Sequence, residues 1–133
     1  MTSHNPSHRE IADLLNLADR DLEQCQLPGL KADWRLAIAY NAALQCAIAA
    51  LAAEGYRAVH EAHHYRVIQS LEFTIGWPCA EIEAFNTFRR QRHRASYERT
   101  DTTSEQDAHE MLNLAHRLRV EVESWLAVNH PDL

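Results

Sequence analysis

Between residues 31 and 54 most side chains are alanine or larger apolar ones. This segment limits what the rest of the molecule can be. Read as a helix over 31–54, it places Trp34, Ile38, Leu44, Ile48 and Leu51 among alanines, apolar on more than one side. A helix with no polar face to offer water has to be gripped by neighbours all round. Its longest apolar run, residues 42–53, contains Gln45 and is too short to cross a bilayer, so it reads as a buried core helix.

The flanking sequence supplies those neighbours. Ser7-His8-Arg9-Glu10 is a capping-box pattern, and Ile11, Leu14, Leu15, Ala18 and Leu22 form one stripe of a first helix over 8–25. Leu27-Pro28-Gly29 breaks the chain, and Gly55 stops the central helix. A third helix is expected over 58–75, with Ile68, Leu71 and Ile75 inward and Gly76 as its stop. A fourth runs from about residue 79 into the nineties behind Ile82, Phe85 and Phe88. After a polar loop over 99–103, Ser104-Glu105-Gln106-Asp107 caps a fifth over 105–129, which buries Met111, Leu114, Ala115, Leu118, Val122 and Trp125. With three glycines, four prolines, no strand-like alternation and no repeat, the predicted fold is all-α. It is an antiparallel bundle of four to five helices in a single domain spanning 1–133, with 1–6 as a frayed tail.

A net charge of -6 rules out a global basic field, so any nucleic-acid role has to rest on a local patch. Cys25, Cys46 and Cys79 are odd in number and lack C-x-x-C spacing. They read as buried or half-buried thiols of a reducing cytosol. The N-terminus has no basic region followed by an apolar run, so no signal peptide is expected and the location is read as cytoplasmic.

His60-Glu61-Ala62-His63-His64 matches H-E-x-x-H, in which two histidines four apart hold zinc and the glutamate acts as base. That reading makes the protein a metal-dependent hydrolase using His60, Glu61 and His64. A catalytic zinc needs a third protein ligand, and no H-x-x-G-x-x-H continuation follows. His64 also continues the stripe of Ile68, Leu71 and Ile75. A second metal possibility joins His109 and His116, seven apart on the fifth helix, to the third helix. The leading expectation is no metal and no cofactor.

Phe88–Arg99 holds five arginines against one acid, a local inversion in an acidic chain. Such a cluster either pairs with phosphates or is a solvated helix end. Arg92 follows Phe88 by four and Phe85 by seven, so it extends the apolar stripe. An inward arginine must be paired or face a cleft.

Three segments carry a family resemblance. They are AYNAALQCAIAALAAEGYR (39–57), His63-His64 followed by Ile68 and Leu71, and FRRQRHRASYE (88–98). Together they resemble the HEPN superfamily over nearly the whole chain, the last segment being similar to its R-x4-6-H element. The resemblance implies a small, often homodimeric helical domain. Active members are metal-independent ribonucleases that bring the motif arginine and histidine of two protomers together and use the ribose 2′-OH. Residue by residue it makes Arg92 the phosphate-binding arginine and His93 its polar neighbour. Tyr97 stands where the motif has histidine, and a phenol, ordinarily titrating near 10, is a poor proton acceptor at neutral pH. Arg92, Tyr97 and His93 are thus the candidate reacting set, with Arg89, Arg90, Arg94, His63 and His64 as binding residues. The expected function is a dimeric RNA- or nucleotide-binding interaction protein with weak or no catalysis. The alternative is a toxin-type ribonuclease restrained by a partner such as a nucleotidyltransferase antitoxin.

Overall fold

The structure, a computed structural model, describes residues 2–3, 5–57, 63–98 and 103–133, the side chains of 2–3 and 94–98 excepted. Five α-helices dominate: α1 (His8–Gln24), α2 (Ala32–Ala53), α3 (His64–Gln69), α4 (Cys79–Glu98) and α5 (Glu105–Asn129). A 3-10 turn, Ser70–Glu72, extends α3. The architecture is the predicted all-α bundle. The two ends of α5 are those read from sequence, and those of α1 and α2 agree to within a residue.

Helix α2 is the hub, packed on α1, α3, α4 and α5. Ala39, Ala42, Ala43, Ala47, Ala49 and Ala50 are wholly shielded from solvent. A surface of methyl groups lets neighbouring helices lie close on several sides at once, and alanine has the highest helix propensity. Ile11, Ala18 and Leu22 of α1 and Met111, Leu114, Leu118 and Val122 of α5 close the core around it, as their spacing predicts. By length and composition the whole of α2 (22 residues), unlike its run 42–53 alone, is long and apolar enough to cross a membrane. In the fold that surface is spent on the other helices.

Local chemistry fixes the ends. Ser7 Oγ accepts from the Glu10 amide at 3.1 Å. Ser104 and Asp107 form a complete capping box: Ser104 Oγ accepts from the Asp107 amide at 3.0 Å, and Asp107 Oδ2 accepts from the Ser104 amide at 3.3 Å. Gly55 and Gly76 adopt φ of 92° and 70°, left-handed values that a side chain resists. Ion pairs tie helices across the surface: Arg119 forks onto Asp19 at 2.8 and 3.1 Å, Arg117 meets Glu81 at 2.9 Å, and Arg35 meets Glu105.

Several expectations are corrected. The third helix is far shorter than 58–75; residues 58–62 lie outside the described residues, and α3 ends at Gln69. Hydroxyls compete for the carbonyls there: Ser70 Oγ donates to the Val67 carbonyl at 2.6 Å and Thr74 Oγ1 to that of Ser70 at 3.3 Å. Gly76 therefore closes a turn instead of a helix. The tail is not wholly frayed: Thr2–Ser3 (β1) pairs antiparallel with Tyr56–Arg57 (β2). Trp34 is 62% exposed. Only one side of the first turn of α2 is covered, the side of Ala32 and Leu36, and residue 34 lies about 200° from Ala32. Trp125 and Ile75 are only partly buried. Cys79 is exposed, while Cys25 and Cys46 are buried.

Two measurements check this packing. Ala47→Leu keeps a strong helix former but overfills a closed site, and should cost about 1–3 kcal/mol in urea unfolding with an unchanged slope. Burial pushes the Cys25 thiol up to about 11 and the Cys46 thiol to about 12. Both should resist a thiol reagent in the folded protein while Cys79 reacts at once, and all three should react in denaturant.

Candidate functional site

One aromatic side chain interrupts the small-residue surface of α2 in its middle. Tyr40 is 1% exposed and faces α3 and α4. Phe85 of α4 meets its ring edge-on at 5.6 Å between centroids. Its hydroxyl lies 3.4 Å from His64 Nδ1 on α3. The Arg92 guanidinium lies 5.2 Å from its ring centroid. Three helices thus converge on one phenol.

Burial raises the Tyr40 phenol to about 12, with the charges of Arg92 and Arg89 pulling the other way. The hydroxyl is therefore neutral at physiological pH and able to donate to His64 Nδ1. Its ring is the floor on which Arg92 rests, an arrangement worth about 0.5–2 kcal/mol depending on desolvation. Arg92 is half-buried as its place on the Phe85–Phe88 stripe predicts. Its Nε is shielded from solvent and has no hydrogen-bond partner, and among the described residues no carboxylate pairs with it.

The remaining arginines differ in setting. Arg89, one turn before Arg92, is half-buried; its Nε donates to Asn86 Oδ1 at 2.7 Å and its guanidinium lies 5.6 Å from the Tyr65 ring centroid. Arg90 points outward and donates to Thr87 Oγ1 at 3.3 Å. These partners are neutral, and among the described residues no carboxylate pairs with Arg89 or Arg90. By contrast Arg117, Arg119 and Arg35 are each matched to a carboxylate. Gln91 donates to Asp107 Oδ2 at 2.9 Å, which fixes this turn of α4 to the start of α5.

The predicted residues therefore divide. Arg89, Arg92 and His64 come together around Tyr40, and His63 sits half-buried at the start of α3. His93 is exposed on α4, and Arg90 points away. The side chains of Arg94 and Tyr97 lie outside the described residues; the α4 backbone runs unbroken through both positions. On that continuous helix Tyr97 is rotated about 140° from Arg92. His60 and Glu61 lie outside the described residues, and among those described no three of His, Cys, Asp and Glu cluster as metal ligands. For the second metal arrangement, among the described residues α3 packs on α2 and α4 but not α5, and His109 and His116 are exposed. Tyr40, Tyr65 and Asn86 went unread in the sequence. The signal for Tyr40 was there, a lone phenol deep in an alanine-rich helix.

Two grooves lie elsewhere. One of about 510 Å³ is bounded by Leu51, Tyr56, Arg66 and Phe73, and one of about 670 Å³ by Trp77, Glu81, His116 and Val120. Neither includes Arg92, whose guanidinium fills the space over Tyr40.

The buried phenol makes a titration prediction. The raised value means that the folded state holds this proton longer than the unfolded chain, so its contribution is complete below about 10 and is lost as pH climbs towards about 12. Wild type and Tyr40→Phe should develop tyrosinate absorbance alike through the ordinary phenol range and diverge only near the upper limit. No protein-family model, curated protein or solved structure matches the chain.

Proposed function

We propose that this is a HEPN-like, dimeric RNA- or nucleotide-binding protein whose cleft between α3 and α4 grips phosphate. The observation that carries the reading is Arg92, a half-buried guanidinium on an aromatic floor with a shielded Nε lacking a partner. A half-buried cation with no counter-charge among the described residues is costly, and an anionic ligand removes that cost. Arg89 is the second cation of the cleft, held in place by Asn86. Guanidinium forks suit phosphate oxygens in geometry as well as charge.

The HEPN-like part of the reading rests on the matched segments of α2, α3 and α4. Weak or absent catalysis follows from Tyr97, which stands where the motif has a histidine. The expected partners are a second copy of the chain and RNA or a nucleotide, with a nucleotidyltransferase-type antitoxin belonging to the nuclease alternative.

Fluorescence anisotropy with a labelled short RNA tests this. Arg92→Ala should weaken binding by about 2 kcal/mol, roughly 30-fold, the value of a charge-assisted hydrogen bond. Arg9→Ala, which removes an exposed charge on α1, should change it little. Raising salt should weaken the wild type more steeply than Arg92→Ala, by about one unit of slope. Equal binding by wild type and Arg92→Ala across the salt series would sink the assignment. Cleavage by the wild type that disappears in Arg92→Ala would keep the site and make the protein a toxin-type ribonuclease.

A further inference from the structure

Tyr65 is the residue after His64 and, at 48% exposed, leaves much of its ring in solvent. It is not loose. The Arg89 guanidinium lies over the ring, and Arg89 is itself anchored by Asn86. The order Asn86, Arg89, Tyr65 is a stack with one end in the protein and the other open. Holding the ring in place beforehand lowers the ordering cost of anything that docks on it.

The stack stands beside the deeper pair of Arg92 and Tyr40. Arg89 and Arg92 are three apart on α4, hence on one face and about 5 Å apart along the axis. Each guanidinium is paired with a tyrosine ring, one ring buried and one exposed. A single nucleotide spans such a distance between its phosphate and its base. Two cations with no aromatic face would read only charge; the exposed ring adds a surface that a bare polyanion cannot use.

Resting on the phosphate reading above, we infer that Tyr65 stacks a nucleobase and that the ligand of the cleft is a single strand with unstacked bases. In a duplex the base faces are already occupied by their neighbours, so the ring has nothing to take up. Every base has a π-face, so the contact selects strandedness more than sequence. Tyr65 is then the residue that separates a single strand from other polyphosphates.

The test uses the full chain and three probes: a labelled short single-stranded RNA, the same RNA annealed to its complement, and linear polyphosphate of similar charge. Tyr65→Ala should weaken single-strand binding on the order of tenfold and leave polyphosphate binding unchanged. Tyr65→Phe should keep both. Tyr65→Leu, which retains bulk without an aromatic face, should behave like Tyr65→Ala. Arg92→Ala should weaken all probes. If Tyr65→Ala weakens RNA and polyphosphate equally, if Tyr65→Leu binds RNA like the wild type, or if duplex and single strand bind the wild type alike, the stacking inference fails. If Arg92→Ala and the wild type bind polyphosphate equally, the phosphate reading itself fails.

Discussion

The close approach of helices to the alanine surface of α2 is the constraint on which the rest of the structure depends. Six alanines without solvent exposure let α1, α3, α4 and α5 share one axis. Such an arrangement tolerates an aromatic ring only where a gap is built for it. Among the buried residues of α2 Tyr40 is that ring. It meets Phe85 of α4 on its edge and the Arg92 guanidinium on its ring, so the setting of Arg92 is a product of core packing instead of loop geometry.

The charges differ accordingly. The chain is acidic, yet its arginines on α2 and α5 are set differently from those on α4. On α2 and α5 they are matched to carboxylates across helix boundaries, pairs worth about 0–1 kcal/mol each where exposed. On α4, Arg89 and Arg90 are oriented by an amide and a hydroxyl, and Arg92 by an aromatic face. Neutral partners fix direction without cancelling charge. Among the described residues these three arginines thus have no paired carboxylate, as the phosphate-binding reading needs.

Much of the fold was legible because its signals are local. Caps at Ser7 and Ser104, the stop at Gly55, and the stripes of α1, α4 and α5 depend on residues within a turn of each other. The third helix was misread because the Ser70 and Thr74 hydroxyls share carbonyls with the backbone, a competition that an apolar stripe does not reveal. Trp34 and Cys79 were misplaced because apolar character says nothing about whether a neighbour covers that turn. In the site, the inward position of Arg92 followed from its spacing to Phe85 and Phe88. What it rests on did not, since Tyr40 lies in another helix and contacts between distant segments leave no period. Asn86 and Tyr65 were missed for the same reason: each matters through Arg89, which only the fold identifies as their shared partner.

Asp107 serves two masters. Its carboxylate completes the cap of α5 through the Ser104 amide and also accepts from Gln91, the residue before Arg92. Hydrogen bonding to Gln91 and Ser104 holds this carboxyl below its ordinary value, so it stays ionised in both roles. The turn of α4 that carries Arg92 is consequently pegged at two depths, by the Tyr40 ring beneath and by Asp107 alongside. A helix secured only by its core face can roll about its axis; one also pinned from the flank cannot. The bearing of the Arg92 guanidinium is therefore indexed to the first turn of the last helix, and the longest of the described helices acts as the yardstick against which that side chain is aligned.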